Sequence, residues 1–165
     1  METFRRYEKK YLLSESQYQK LMQLLEGHVV ADKFFESKIS SIYYDNMTDE
    51  LIRRSIEKPE YKEKLRIRSY KDAKEDDKVF VELKKKLDGI VYKRRTKALC
   101  GDLLRDIYQC EFDDPQVGKE ILYVLDHYGK LVPKIYIGCH RTSYVSKDDP
   151  ELRITFDRNM SYRME

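Results

Sequence analysis

Hydrophobic and polar positions alternate with period two over several stretches of this chain. Lys64-Leu65-Arg66-Ile67-Arg68-Ser69-Tyr70 puts Lys64, Arg66 and Arg68 on one face of a strand and Leu65 and Ile67 on the other. Val79 to Lys86 sets Glu82, Lys84 and Lys86 opposite Val79, Val81 and Leu83. Lys86-Leu87-Asp88-Gly89 carries an Asp-Gly turn signal and leads into a third strand, Ile90 to Thr96, completing a hairpin. Arg5 to Leu13 predicts a further strand, with Arg6, Glu8 and Lys10 sharing a face. Ser40 to Asp45 predicts another. Lys134 to Val145 is a long strand with Cys139, Arg141 and Ser143 on one face. Leu152 to Asp157 sets Arg153, Thr155 and Asp157 against Leu152, Ile154 and Phe156. The pattern predicts seven strands.

Other stretches carry the helical period. Ser14 with Gln17 three residues on is a capping box, followed by an apolar stripe of Tyr18, Leu21, Met22, Leu24 and Leu25 that ends at Gly27. Thr48 is placed to cap a short helix through about Ile56, stopped before Pro59. Gly101 to Gly129 predicts two helices separated near Asp113-Asp114-Pro115. These elements predict one α+β domain over residues 1–165, with a mainly antiparallel barrel or curved sheet, closed or left incomplete, and helices packed outside it.

Composition narrows the chemistry. Of the 165 residues 38% are charged, but 33 basic against 30 acidic leaves a net charge of only +3, so global charge does not point to nucleic acid. Three scattered cysteines, Cys100, Cys110 and Cys139, have no zinc spacing and make no disulfide framework, which fits a reducing, cytoplasmic setting. The first residues lack the apolar run of a signal peptide, and no long uncharged apolar run predicts a membrane span. There is no P-loop and no GxGxxG fingerprint. His28, His127 and His140 are isolated.

A single strand with one charged face is ordinarily a solvated surface strand. Here the pattern recurs: Lys10, Arg66, Arg68, Lys84, Lys93, Arg141 and Arg153 all fall on predicted strands, mostly opposite apolar partners. Cations converging on one surface repel one another unless an anion neutralises them, and they suit a dense polyanion. Glu8, Glu82 and Asp157 lie on the same faces. They serve either as counter-ions or as oxygen ligands for Mg²⁺ or Mn²⁺ shared with phosphates.

In order along the chain come Tyr7-Glu8-Lys9-Lys10-Tyr11-Leu12-Leu13, Ser41-Ile42-Tyr43-Tyr44-Asp45, Leu65 to Tyr70 and Phe80-Val81-Glu82-Leu83-Lys84. Gly89 to Arg95, Arg141-Thr142-Ser143-Tyr144 and Leu152 to Asp157 follow. The series resembles the VTC-type polyphosphate polymerase domain, a branch of the CYTH-like triphosphate tunnel metalloenzymes. The resemblance covers nearly the whole chain and implies an antiparallel tunnel lined by Arg, Lys and Glu. It implies transfer of the terminal phosphate of ATP to inorganic polyphosphate with Mn²⁺ or Mg²⁺. By motif position, Lys10, Arg66, Arg68, Lys84, Lys93, Arg141 and Arg153 would contact phosphate, with catalysis resting on Lys10, Arg66, Arg68 and Lys84. Glu82 and Asp157 would lie near the metal.

Two departures qualify the match. Arg6-x-Glu8-x-Lys10 lacks the first Glu of the superfamily's Glu-x-Glu-x-Lys, which is closer to the polymerase branch than to the triphosphatases. The family pattern also continues into a metal-binding Glu strand and a Lys-containing helix, whereas this chain stops at Glu165. The expectation is a truncated or shortened member whose open sheet edge is covered by a helix, a partner chain or a strand exchanged within a homodimer. Two other functions stay open: a tripolyphosphatase or nucleoside triphosphatase, and a non-catalytic polyanion-binding module for polyphosphate, inositol phosphates or RNA. Nucleic acid is the weaker partner.

Overall fold

A computed structural model describes residues 8–57, 59–88 and 90–165. The order of elements is α1 (Glu15–Leu25), β1 (Val29–Asp45), α2 (Glu50–Glu57), β2 (Tyr61–Ser69), β3 (Lys78–Leu87) and β4 (Ile90–Leu99). Then come α3 (Cys100–Asp106), a 3₁₀ turn at Ile107–Gln109, α4 (Pro115–His127), β5 (Val132–Ser146) and β6 (Arg153–Met164). All strand pairs are antiparallel, in the order β4-β3-β2-β1-β5-β6. The α+β class, the antiparallel pairing and the helices outside the sheet are as the sequence predicts.

The sheet is open. The described residues hold six strands rather than seven. Arg5 to Tyr7 of the first predicted strand lie outside the described residues, and 8–14 form neither helix nor strand. A barrel whose interior side chains just fill takes about eight strands. Six leave β4 and β6 as edges, so the polar faces line a surface rather than an enclosed tunnel.

Burial explains why this sheet forms. Residues directly opposed in register share a face. Leu65 and Ile67 of β2, Val79, Val81 and Leu83 of β3, and Ala98 of β4 all turn to one side. There they pack against Leu51 of α2, Leu103 of α3, and Val117, Ile121, Val124 and Leu125 of α4. Complete burial of an aliphatic side chain contributes about 1.5–3 kcal/mol. This layer fixes the phase of the central strands and turns their other residues away from the helices.

Local signals decide the helix ends. Ser14 and Gln17 form the predicted capping box, and Gly27 at φ +80° lets the chain leave α1. Asp114 accepts from the backbone N–H groups of Gln116 and Val117 at the start of α4. Thr48 does not cap α2. The buried Asp45 carboxylate takes that place, accepting from the Leu51 and Ile52 N–H groups at 2.9 Å each. The Thr48 hydroxyl instead donates to Asn46 Oδ1 at 2.9 Å, and each Asp45 oxygen takes one orphan donor in a charge-assisted bond. Asp45→Ala is therefore expected to cost about 2 kcal/mol, and Asp45→Asn less, as measured by urea unfolding.

Candidate functional site

The side of the sheet away from the helices carries the cations. Register places Lys64 opposite Lys84, and Lys84 opposite Lys93. It sets Arg66 opposite Glu82, and Glu82 opposite Arg95. Arg68 faces Phe80 and Ser41, and Phe80 faces Lys97. Lys62 and Lys86 pair one row beyond Lys64 and Lys84. In β5 and β6, Arg141 pairs with Asp157 and Val145 with Arg153, in the same phase. Arg66, Arg68, Lys84, Lys93, Arg141 and Arg153 thus share one face, as the alternation predicts.

Lys10 is on no strand, yet the segment carrying it lies over this face. Glu8 stands 3.7 Å from the Lys10 ammonium and 4.0 Å from that of Lys84. The Lys10 charge also acts on Lys64 of β2 and on Asp157 of β6. Arg153 is the outlier. Four residues along β6 from Asp157, it sits about 13 Å farther up the strand. Its nearest carboxylate is Asp32, at 3.7 Å.

Glu82 is the centre of the arrangement. It is 1% exposed. Its Oε2 accepts from Arg66 Nε at 2.8 Å, and its Oε1 lies 2.9 Å from Lys93 Nζ and 3.1 Å from Arg95 Nε. Burial by itself would push this carboxyl up. The charges of Arg66 and Lys93, with the hydrogen bond from Arg66, overcome that and hold it at about 2. Arg66 also donates to the Tyr43 hydroxyl at 2.9 Å, so both sides of its guanidinium are fixed.

Asp157 accepts from Arg141 Nε at 2.6 Å and from Nη2 at 2.7 Å. That bidentate bond holds its carboxyl below the usual range, with Arg68 and Lys10 adding to the effect. Both predicted metal residues are therefore engaged as counter-ions to cations. Among the described residues no three His, Cys, Asp or Glu side chains come together to hold a metal ion. Hard divalent cations require several oxygen ligands, and these two carboxylates as placed offer no free pair.

Other cations on this face have no carboxylate partner among the described residues: Lys62, Lys64, Lys86, Lys97 and Arg68. Arg68 donates instead to the Ser41 hydroxyl at 3.1 Å. Lys64 is held below its ordinary pKa by burial first, then by the like charges of Lys62, Lys84 and Lys10. Burial and like charge thus both act against the Lys64 ammonium. Lys62 and Arg95 did not stand out in the sequence reading, and Lys64 and Lys86 were legible there only as members of an alternating face. Arg95 hides in the run Lys93-Arg94-Arg95. Alternation separates it from Arg94, which turns to the helix side and pairs with Glu120. Lys85 likewise turns to the helix side, 3.2 Å from the buried Glu63.

The rows repeat along the strand direction. From Lys62 and Lys86 at one end to Arg141 near the other, the cations cover roughly 30 Å. A cavity of about 550 Å³ lies elsewhere, in the helix layer by Arg105, Asp106, Tyr108 and Leu125. Its mixed charges have no comparable convergence.

The VTC domain model matches residues 5–165. The chain belongs to the VTC domain family. No curated protein matches it. Membership in the VTC family supports a polyphosphate-related function, and a phosphate chain is the kind of ligand a linear array of cations suits. No helix among the described residues is long and apolar enough to cross a membrane.

Proposed function

We propose that the cationic face binds the triphosphate of ATP and the end of an inorganic polyphosphate chain, and that phosphoryl transfer joins them. A terminal oxygen of polyphosphate attacks the γ-phosphorus, the bond from that phosphorus to the β,γ-bridging oxygen breaks, and ADP leaves with that oxygen. The observation that carries this reading is the succession of cation rows along the strands, from Lys62 and Lys86 through Lys64, Lys84 and Lys93 to Arg66 and Arg68. A lone phosphate would occupy one row. A chain bearing charge at every unit can engage them all.

Little covalent chemistry falls to the protein in such a reaction. Positioning and stabilisation of charge on the transferring group dominate. Lys84, Lys93, Arg66 and Arg68 are placed to hold phosphoryl oxygens, with Lys10 over the same face. Arg141 and Arg153 would extend contact to the far end of a long chain. A divalent cation such as Mn²⁺ or Mg²⁺ carried by the triphosphate would offset part of its charge, and Glu82 and Asp157, already engaged by Arg66, Lys93, Arg95 and Arg141, would not hold it. The unpaired Cys100, Cys110 and Cys139 fit a cytoplasmic, reducing setting.

A non-catalytic polyanion-binding role has one observation in its favour: the carboxylates on this face already serve as counter-ions. A product assay separates the readings. Incubation with ATP, polyphosphate primer and Mn²⁺ gives chain growth for a polymerase, orthophosphate for a triphosphatase, and neither for a binding module.

The binding claim has its own test. Arg68→Ala is expected to weaken tripolyphosphate binding about tenfold to a hundredfold, because a charge-assisted contact is worth roughly 1.5–3 kcal/mol. Lys119→Ala, exposed on α4 in the helix layer, should change it less than about twofold. Lys85 lies on the opposite phase but is a poor control, since its loss strands the buried Glu63. Equal small effects of both substitutions in a calorimetric titration would reduce the site to diffuse charge.

A further inference from the structure

Resting on the phosphate-binding reading above, we infer that Tyr70, Phe80 and Arg95 form the docking place for a nucleotide base. The Arg95 guanidinium lies 3.4 Å from the centre of the Phe80 ring and 5.5 Å from that of Tyr70. Its Nη2 donates to the Tyr70 hydroxyl at 3.1 Å, and its Nε faces Glu82 at 3.1 Å. Tyr70 meets Phe80 edge-on, with centroids 5.7 Å apart. Three planar groups are thus locked at fixed angles on an otherwise cationic and hydroxylic part of the sheet.

A phosphate chain has no planar group, so it gains nothing from such a stack. A purine or pyrimidine does. Bases stack on aromatic rings and guanidinium planes with little regard for sequence. The cluster is also open to an incoming base: Tyr70 is 39% exposed, and the Arg95 side chain 35%. It borders the phosphate rows directly, since Arg95 and Arg66 flank Glu82 across β3. A base resting on Tyr70 and Arg95 would direct its triphosphate toward Arg66, Lys93, Lys84 and Lys64. The ligand class is therefore a nucleoside triphosphate, held at both ends, rather than a bare phosphate chain alone.

Parallel titrations with ATP and tripolyphosphate at one ionic strength test this. Tyr70→Ala is expected to weaken ATP on the order of tenfold and to leave tripolyphosphate within about twofold. Tyr70→Phe, which keeps the ring and loses the bond to Arg95, should retain most of the ATP affinity. Equal loss for both ligands, or no loss for either, would overturn the base-docking role while leaving phosphate binding in place. Failure of the unmodified protein to bind tripolyphosphate would instead overturn the phosphate reading, and the base site with it.

Discussion

Glu82→Gln is expected to lower the melting temperature by roughly 6–12 °C, the largest effect of any single change on the cationic face. The carboxylate is 1% exposed and neutralises Arg66, Lys93 and Arg95 at once. Glutamine keeps the shape and loses the charge, so three cations are left facing one another. Breaking a buried pair costs about 3–5 kcal/mol, and these cations are partly exposed, which puts the expectation at about 3. Each kcal/mol moves the midpoint of a domain this size by roughly 2–4 °C.

The pH dependence has a definite sign. The Glu82 carboxyl titrates at about 2 in the folded protein, below its unfolded value. Its contribution is therefore complete above roughly pH 5 and is lost as pH falls toward 2. The gap in melting temperature between the wild type and Glu82→Gln should accordingly narrow from pH 6 to pH 3. A gap that stays constant would mean that the loss is one of packing and not of charge. Removing this internal counter-ion should also tighten tripolyphosphate binding, because the anion no longer competes with Glu82 for Arg66, Lys93 and Arg95.

Tripolyphosphate is expected to raise the melting temperature by roughly 5–10 °C, and orthophosphate at equal ionic strength by much less. The face gathers like charge: Lys62, Lys64, Lys86 and Arg68 have no carboxylate partner among the described residues, and burial first, then the neighbouring lysines, hold Lys64 below its ordinary pKa. A ligand at a hundred times its dissociation constant adds about 2.7 kcal/mol to stability. A multivalent chain reaches several rows at once, whereas orthophosphate reaches one. The shift should shrink as salt rises, because screening weakens exposed contacts. Melts with ortho-, pyro- and tripolyphosphate decide the matter. A response that tracks ionic strength and ignores chain length would indicate an ordinary solvated basic surface.

Alternation along β2, β3, β4, β5 and β6 determined by itself which cations share a face. Period two is a local property of extended backbone, and the apolar phase must meet the helices. It separated Arg68 from Ile67, Lys84 from Lys85, and Arg141 from Thr142, and the structure keeps each separation. The capping box at Ser14 and the break at Pro115 were equally legible, because their partners lie within one turn.

What the sequence could not determine is pairing at a distance. That Glu82 gathers Arg66, Lys93 and Arg95 depends on the register among three strands, which no single strand encodes. Asp45 supplants Thr48 as the cap of α2 because the end of β1 delivers a buried carboxylate to the helix N-terminus. The first half of β1, Val29 to Ile39, mixes Lys33, Glu36 and Lys38 with Phe34 and Phe35 and has no clean alternation. It is a strand because β5 pairs with it. Closure of the barrel is likewise a global property: each strand carries the right pattern, but only the count and pairing of strands decide whether the edges meet, and the six described here leave the cationic face open.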